Sequence, residues 1–163
     1  MSNIDTMPSS KRIAFNSDNC TGCDCCELAC SAAHFGVYGS KLSAIRIKGD
    51  YQFRKFEAFV CRQCASASCV AACKFDAIKF DESTGARYID KDLCKNCGLC
   101  IKACPFTDET FPLIRKVSAG DEDVIIKCNL CHGINGGPSC VAVCPRTALT
   151  VVGGKKGGAK NDR

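Results

Sequence analysis

Apolar and polar residues alternate along this chain in short runs, separated by turn-rich segments. Residues 77–80 (AIKF) and 87–89 (RYI) flank DESTG and predict a β-hairpin. Residues 113–117 (LIRKV) and 124–127 (VIIK) flank SAGDED and predict a second. A final strand is expected at 148–152 (ALTVV), and an initial one at 13–15 (IAF) that pairs at a distance. Three short helical turns are expected at 69–74 (CVAACK), 99–104 (LCIKAC) and 140–144 (CVAVC). Residues 31–51 contain no cysteine. Within them LSAIRIK, 42–48, alternates and predicts a strand, with His34, Phe35, Tyr38 and the glycines in a loop before it. That stretch is expected either to cover the edge of a site or to face a partner.

Composition changes this picture in one respect. Of 163 residues, 17 are cysteine and none is tryptophan, so much of the apolar content is thiol and a conventional core would be thin. A fraction this high calls for disulfides or for metal. The N-terminal stretch has Lys11 and Arg12 but no apolar run behind them, so no secretory signal is expected. No run approaches the roughly 20 apolar residues of a membrane span. A cytoplasmic location follows, where thiols stay reduced and available to metal. The formal net charge of +5 includes a basic, glycine-rich end, GGKKGGAKNDR. It is expected to be a solvated tail (153–163), with a flexible N-terminus (1–12) at the other end.

The cysteines fall into four groups of four. Cys20, Cys23, Cys26 and Cys30 form the first, in CTGCDCCELAC. Cys61, Cys64, Cys69 and Cys73 form the second, in CRQCASASCVAAC. Cys94, Cys97, Cys100 and Cys104 form the third, in CKNCGLCIKACP. Cys128, Cys131, Cys140 and Cys144 form the fourth, in CNLCHGINGGPSCVAVCP. Every group ends in a C-x3-C step, and the third is the full bacterial iron–sulfur run with its proline. Three cysteines on a tight loop can wrap one face of a cubane cluster. The fourth, about one helical turn on, reaches a neighbouring cluster. Glycine at 22 and 98 lets backbone N–H groups come close to the sulfurs. A cluster- or zinc-based protein of structural or regulatory kind, without an electron-transfer role, is the alternative from another class, but a sensor would need a DNA-reading element, and zinc sites more often show two CxxC pairs across a long gap or cysteine mixed with histidine. Only two histidines are present. Four [4Fe–4S] clusters are therefore expected.

Over residues 20–145 the chain resembles the four-cluster ferredoxin subunits of dimethyl sulfoxide reductase and formate dehydrogenase type, and their small soluble relatives. The resemblance implies an α+β fold of two pseudo-symmetric bacterial ferredoxin-like units, βαββαβ in type, with inserted hairpins and loops. It implies a polyferredoxin domain over 13–152, with an outer cluster pair from 13–50 plus 120–152 and an inner pair from 56–112. It also implies crossed ligation. One cluster takes Cys20, Cys23, Cys26 and Cys144, and its neighbour takes Cys128, Cys131, Cys140 and Cys30. The inner pair takes Cys61, Cys64, Cys69 and Cys104, and Cys94, Cys97, Cys100 and Cys73. The first and second groups depart from the pattern, with Ser31 and Lys74 where the others have proline.

The same resemblance implies a non-catalytic electron-transfer subunit working in anaerobic metabolism. Its partner would be a catalytic subunit of tungsten or molybdenum aldehyde oxidoreductase, carbon monoxide dehydrogenase, hydrogenase or formate dehydrogenase type, with a flavin subunit as a further candidate. Chain size favours the aldehyde oxidoreductase or carbon monoxide dehydrogenase type. Pseudo-symmetry would also let copies stack and extend the wire. No phosphate loop, HExxH or Ser–His–Asp pattern points to catalysis by this chain, and no basic–aromatic stripe points to nucleic acid. Cys25 is the cysteine left over, read as an inert thiol packed beside the first cluster, an alternative ligand to Cys26 in a shifted loop, or a redox-active thiol. His132, next to Cys131, is read as a loop histidine or as a donor to a cluster sulfur. His34 is read as a loop histidine.

Overall fold

The computed structural model describes residues 10–107 and 109–153. Most of the expected N-terminal arm and nearly all of the expected basic tail lie outside these residues.

Among the described residues eight strands form four two-stranded antiparallel sheets. β1 (Arg12–Phe15) pairs with β8 (Leu149–Val152), joining the two ends of the described chain. β2 (Ile45–Asp50) pairs with β3 (Lys55–Val60), β4 (Ile78–Asp81) with β5 (Ala86–Ile89), and β6 (Ile114–Ala119) with β7 (Glu122–Lys127). Four helices separate them: α1 (Cys25–Phe35), α2 (Ser68–Ala71), α3 (Leu99–Ala103) and α4 (Ser139–Ala142). The fold is α+β with two ferredoxin-like units. In the outer unit β1, α1, β2, β3, α4 and β8 follow one another in βαββαβ order, and α1 packs on α4. The inner unit is inserted between β3 and α4. There α2 packs on α3, and β6 pairs with the following β7 rather than with a strand ahead of α2.

Each group's last cysteine leads into a strand whose first residue is a buried aliphatic. Ile45 opens β2, Ile78 opens β4, Ile114 opens β6 and Leu149 opens β8, and all four are buried. They anchor two small cores. One gathers Ile13, Ile45, Val60, Leu130 and Leu149 around Cys26, Cys30 and Cys140. The other gathers Ile78, Ile114 and Ile125 around Cys100. Thiols are thus part of the core, as the thin apolar composition required.

The region between the first two cysteine groups differs most from expectation. His34 and Phe35, expected in a loop, are the last turn of α1, which ends at Gly36 in a left-handed conformation (φ 69°). The cause is Ser31. Proline after Cys104 and Cys144 accompanies a chain that leaves its helix at once. Ser31 lets α1 run on for more than a turn, because serine keeps the backbone N–H that proline lacks. Its buried hydroxyl donates to Leu28 O at 3.0 Å and accepts from Gly39 N at 3.0 Å, which folds the chain back. Lys74 needs no such account, because the chain turns at 74–75 as it does at 105–106 and 145–146. The strand expected at 42–48 begins at Ile45, with residues 40–42 in a 3-10 turn. Its partner β3 was not expected, although Phe56 and Val60, two of its inward positions, are buried in the alternation that marks a strand.

These two positions make opposite predictions. Ser31→Pro removes an intrahelical hydrogen bond and should cost about 3 kcal/mol. Lys74→Pro should change stability by less than about 1 kcal/mol, since no backbone bond from Lys74 N is described. Anaerobic thermal unfolding of the loaded protein checks both. Equal melting temperatures for Ser31→Pro and the parent would contradict this reading of α1.

Candidate cluster-binding sites

The strand entries and helix starts place the cysteines around four cavities. The first, about 370 Å³, is walled by Cys20, Cys23, Cys26 and Cys144, with Cys25 on its rim. The second, about 290 Å³, is walled by Cys30, Cys128, Cys131 and Cys140. The third, about 420 Å³, has Cys61, Cys64, Cys69 and Cys104. The fourth, about 320 Å³, has Cys73, Cys94, Cys97 and Cys100. Each wall takes three cysteines from one group and the last cysteine of another. All sixteen residues singled out in the sequence are brought together in this way.

A shared backbone feature makes the walls. The residue just before the second cysteine of each group is left-handed: Gly22 (φ 68°), Gln63 (φ 52°), Asn96 (φ 51°) and Leu130 (φ 53°). This kink closes a tight loop around the cavity. At Gln63 and Leu130 it costs of order 1–2 kcal/mol, the kind of strain that collects at functional sites. Beyond the last cysteine a second feature repeats. Ala44 N donates to Cys30 Sγ at 3.3 Å, Ala77 N to Cys73 Sγ at 3.3 Å, and Ala148 N to Cys144 Sγ at 3.2 Å. Each of these alanines precedes the buried aliphatic that opens the next strand. In the first group the longer α1 and the fold-back at Ser31 deliver Ala44 to the same position that Ala77 and Ala148 reach four residues after their cysteines.

Burial makes the cavities poor places for bare thiolates. It pushes the Cys26 and Cys128 thiols up to about 12 and Cys100 up to about 11, and raises Cys30, Cys69 and Cys140 as well. Cys128 is only half-buried as a residue, but its thiol is enclosed. Such sulfurs become thiolates only beside a positive centre, so loading must release protons. Among the described residues no three His, Cys, Asp or Glu side chains converge as they would around one ion. A multi-iron group asks for a different arrangement, since each cysteine holds its own iron and the sulfurs stand apart around the wall. Four soft sulfur donors on a compact, largely apolar cavity fit an iron–sulfur cluster.

Comparison with known proteins agrees with this donor set. Residues 52–153 match the family model described as a 4Fe-4S dicluster domain, and residues 17–37 match a 4Fe-4S binding domain. The chain belongs to the 4Fe-4S dicluster family. It is 35% identical to the polyferredoxin-like subunit of aliphatic sulfonate oxidoreductase from Pyrococcus furiosus, over 87% of this chain and 78% of that subunit. It is 32% identical to the electron transport protein HydN of Escherichia coli, over 86% of each. Among solved structures it resembles a chain of the BamBC active-site complex of benzoyl coenzyme A reductase, with a TM-score of 0.51 and 27% identity over 89% of this chain and 78% of that one. This dicluster protein is accordingly an iron–sulfur electron-transfer subunit, related to the dimethyl sulfoxide reductase and formate dehydrogenase type, with a non-catalytic role between redox partners.

Of the two histidines of this ferredoxin, His132 takes the loop reading rather than the sulfur-donor one, and His34, expected in a loop, approaches a sulfur instead. His34 Nε2 lies 3.7 Å from Cys131 Sγ, brought there by the unexpected length of α1, and burial lowers its pKa. His132 instead sets Nδ1 2.9 Å from Asp81 Oδ2 and stacks on Tyr88 with ring centroids 3.9 Å apart. It ties the fourth cysteine group to the β4–β5 hairpin. Three hydrogen bonds from Ser83 and Thr84 join His132 in holding the Asp81 carboxyl well below its usual range. Cys25 opens α1, is exposed, and hydrogen-bonds with Cys23.

One seam was not visible in the sequence. The buried Gln63, between Cys61 and Cys64, donates from Nε2 to Cys128 O at 2.6 Å and accepts from Arg87 N at 2.8 Å. Buried Lys127 donates to Arg87 O and, at 2.9 Å, to Cys128 O. The third cavity is thereby bound to the second across the two units. No motif signals this, because each residue is ordinary in sequence.

Two glycines test the walls. A Cβ on Gly22 would collide with Phe56 Cε1 and lie 2.7 Å from Tyr51 Cε1, on top of its positive φ. One on Gly98 (φ 78°) would meet nothing within 4 Å. Gly22→Ala should lose about four irons per chain, one cluster's worth, whereas Gly98→Ala should keep its iron at a cost of about 1 kcal/mol. Iron analysis of the two anaerobic variants decides it. Full iron in Gly22→Ala would contradict this account of the first loop.

Proposed function

We propose that the chain holds four [4Fe–4S] clusters, one in each cavity, and relays electrons between a catalytic oxidoreductase subunit and a second carrier. The observation that carries this reading is the four crossed walls of four cysteines. The proposed ligands are Cys20, Cys23, Cys26 and Cys144; Cys30, Cys128, Cys131 and Cys140; Cys61, Cys64, Cys69 and Cys104; and Cys73, Cys94, Cys97 and Cys100. Bound in this way, each group supplies a one-electron couple whose potential depends on charge, hydrogen bonds to sulfur and exposure.

The protein's own residues do the rest. Thiolates hold the groups in fixed positions, apolar walls keep water out, and the amides of Ala44, Ala77 and Ala148 soften the negative charge on three sulfurs. Packing of α1 on α4 joins the first and second cavities, the Gln63 seam joins the second and third, and packing of α2 on α3 joins the third and fourth. That order makes a single file. Only Cys23, Cys25 and Cys97 of the seventeen cysteines are exposed, and they belong to the first and last cavities. Electrons therefore enter and leave there.

The outer pair (13–50 plus 120–152) and inner pair (56–112) form one polyferredoxin domain. The relative from Pyrococcus furiosus is the polyferredoxin-like subunit of an aliphatic sulfonate oxidoreductase, which favours a catalytic subunit as the partner here. Aldehyde oxidoreductase, carbon monoxide dehydrogenase, hydrogenase and formate dehydrogenase types all suit, as does a flavin subunit at the other end or a second copy of the chain. No helix among the described residues is long and apolar enough to cross a membrane, and a cytoplasmic complex fits the free thiols.

Anaerobic purification of the tagged chain with its bound subunits tests the proposal. Iron and sulfide should each reach about 16 per chain, four clusters of four, with a catalytic subunit alongside. A colourless protein holding zinc would overturn it.

A further inference from the structure

The four cavities differ in the charges built into their walls. Among the described residues, buried cations line one of them. Lys127 and Arg87, 6% and 2% exposed, both border the cavity of Cys61, Cys64, Cys69 and Cys104. The charged side chains on the first and fourth cavities are Arg146, Asp24 and Lys95, none of them buried; no charged side chain lines the second, which meets Lys127 only through the Cys128 carbonyl. At the first cavity the nearest buried charge is of the opposite sign. Glu27, 4% exposed, adjoins Cys26 on α1, where its carboxylate accepts from Ile47 N at 2.6 Å.

Lys127 is held firmly. It extends from the last position of β7, and its ammonium is gripped by the carbonyls of Arg87 and Cys128, one from each unit. Neither partner is an acid, so the grip leaves the positive charge uncancelled. A charge shielded from water acts at full reach over a few ångströms, whereas the exposed lysines and arginines elsewhere are screened.

We propose that Lys127 makes the third cavity the electron store of the chain, giving the cluster held by Cys61, Cys64, Cys69 and Cys104 the highest potential of the four. The inference rests on the reading of four loaded cavities. The step is the movement of one electron, with no bond made or broken. The reductant loses it, and this cavity gains one negative charge, which the adjacent ammonium stabilises. Near the first cavity Glu27 is met by Arg46 Nε at 3.8 Å, so its charge is offset and the bias toward the seam comes from Lys127. Lys127 is a positioning residue for charge and touches no sulfur.

The test is a dithionite titration of the anaerobic loaded chain, followed by electron paramagnetic resonance, for the parent, Lys127→Gln and Lys127→Arg. The highest midpoint should fall in Lys127→Gln and hold near the parent value in Lys127→Arg, with the lowest midpoints moving less. An unchanged highest midpoint in Lys127→Gln would overturn the proposal. A second measurement decides the matter if Lys127→Gln does not load. The signal of the first electron taken up should change in Cys64→Ser and not in Cys97→Ser, and the reverse would overturn the proposal. Iron well short of four clusters in the parent itself would instead sink the reading beneath it.

Discussion

Each cysteine group gives its last member away, and the rest of the structure depends on that exchange. Cys144 returns to the loop of Cys20, and Cys30 goes to the loop of Cys128. The two ends of the described chain are joined by the β1–β8 pair, and clusters bound in these walls would hold them a second time. Nested inside, Cys104 and Cys73 make the same exchange between the second and third groups. Short helices suffice because they have only to carry a cysteine from one cavity to the next. Short strands suffice because each has only to bury one aliphatic behind it.

Stability and function share these contacts. The apolar cores are small and already include Cys26, Cys30, Cys100 and Cys140. Loaded cavities would supply the cohesion that side chains do not, as in other small metal-dependent folds. The thiols raised by burial stay protonated in the empty state, so loading exchanges their protons for the cluster. The seam of Gln63, Arg87 and Lys127 adds what sulfur does not. It fixes the spacing between the two units and places buried positive charge at the middle of the file.

Much of this was legible in the sequence, since cysteine spacing is a strong signal and alternation between turns is a fair one. The sixteen wall residues, the β4–β5 and β6–β7 hairpins and the distant pairing of β1 could all be anticipated. The stretch from Ser31 to Val60 could not be read as well. There a serine in place of proline extends a helix, and the effect depends on a buried hydroxyl bond to Gly39 that spacing does not reveal. The sulfur contact of His34 follows from that extension, and so was missed along with it. β3 was within reach, because KFEAFV alternates, but its aromatic residues sit beside no strong turn signal. The Lys127 seam was out of reach, because a lysine beside a cysteine normally reads as solvated, and only the third dimension shows that it is buried.

Anomalous diffraction at the iron edge from anaerobic crystals of the loaded chain tests the crossed walls most directly. The account predicts four cubane-shaped iron peaks, with Cys144 on the same cluster as Cys20, Cys23 and Cys26, and Cys104 on the same cluster as Cys61, Cys64 and Cys69. Iron in which each group of four cysteines closes on its own cluster would contradict it.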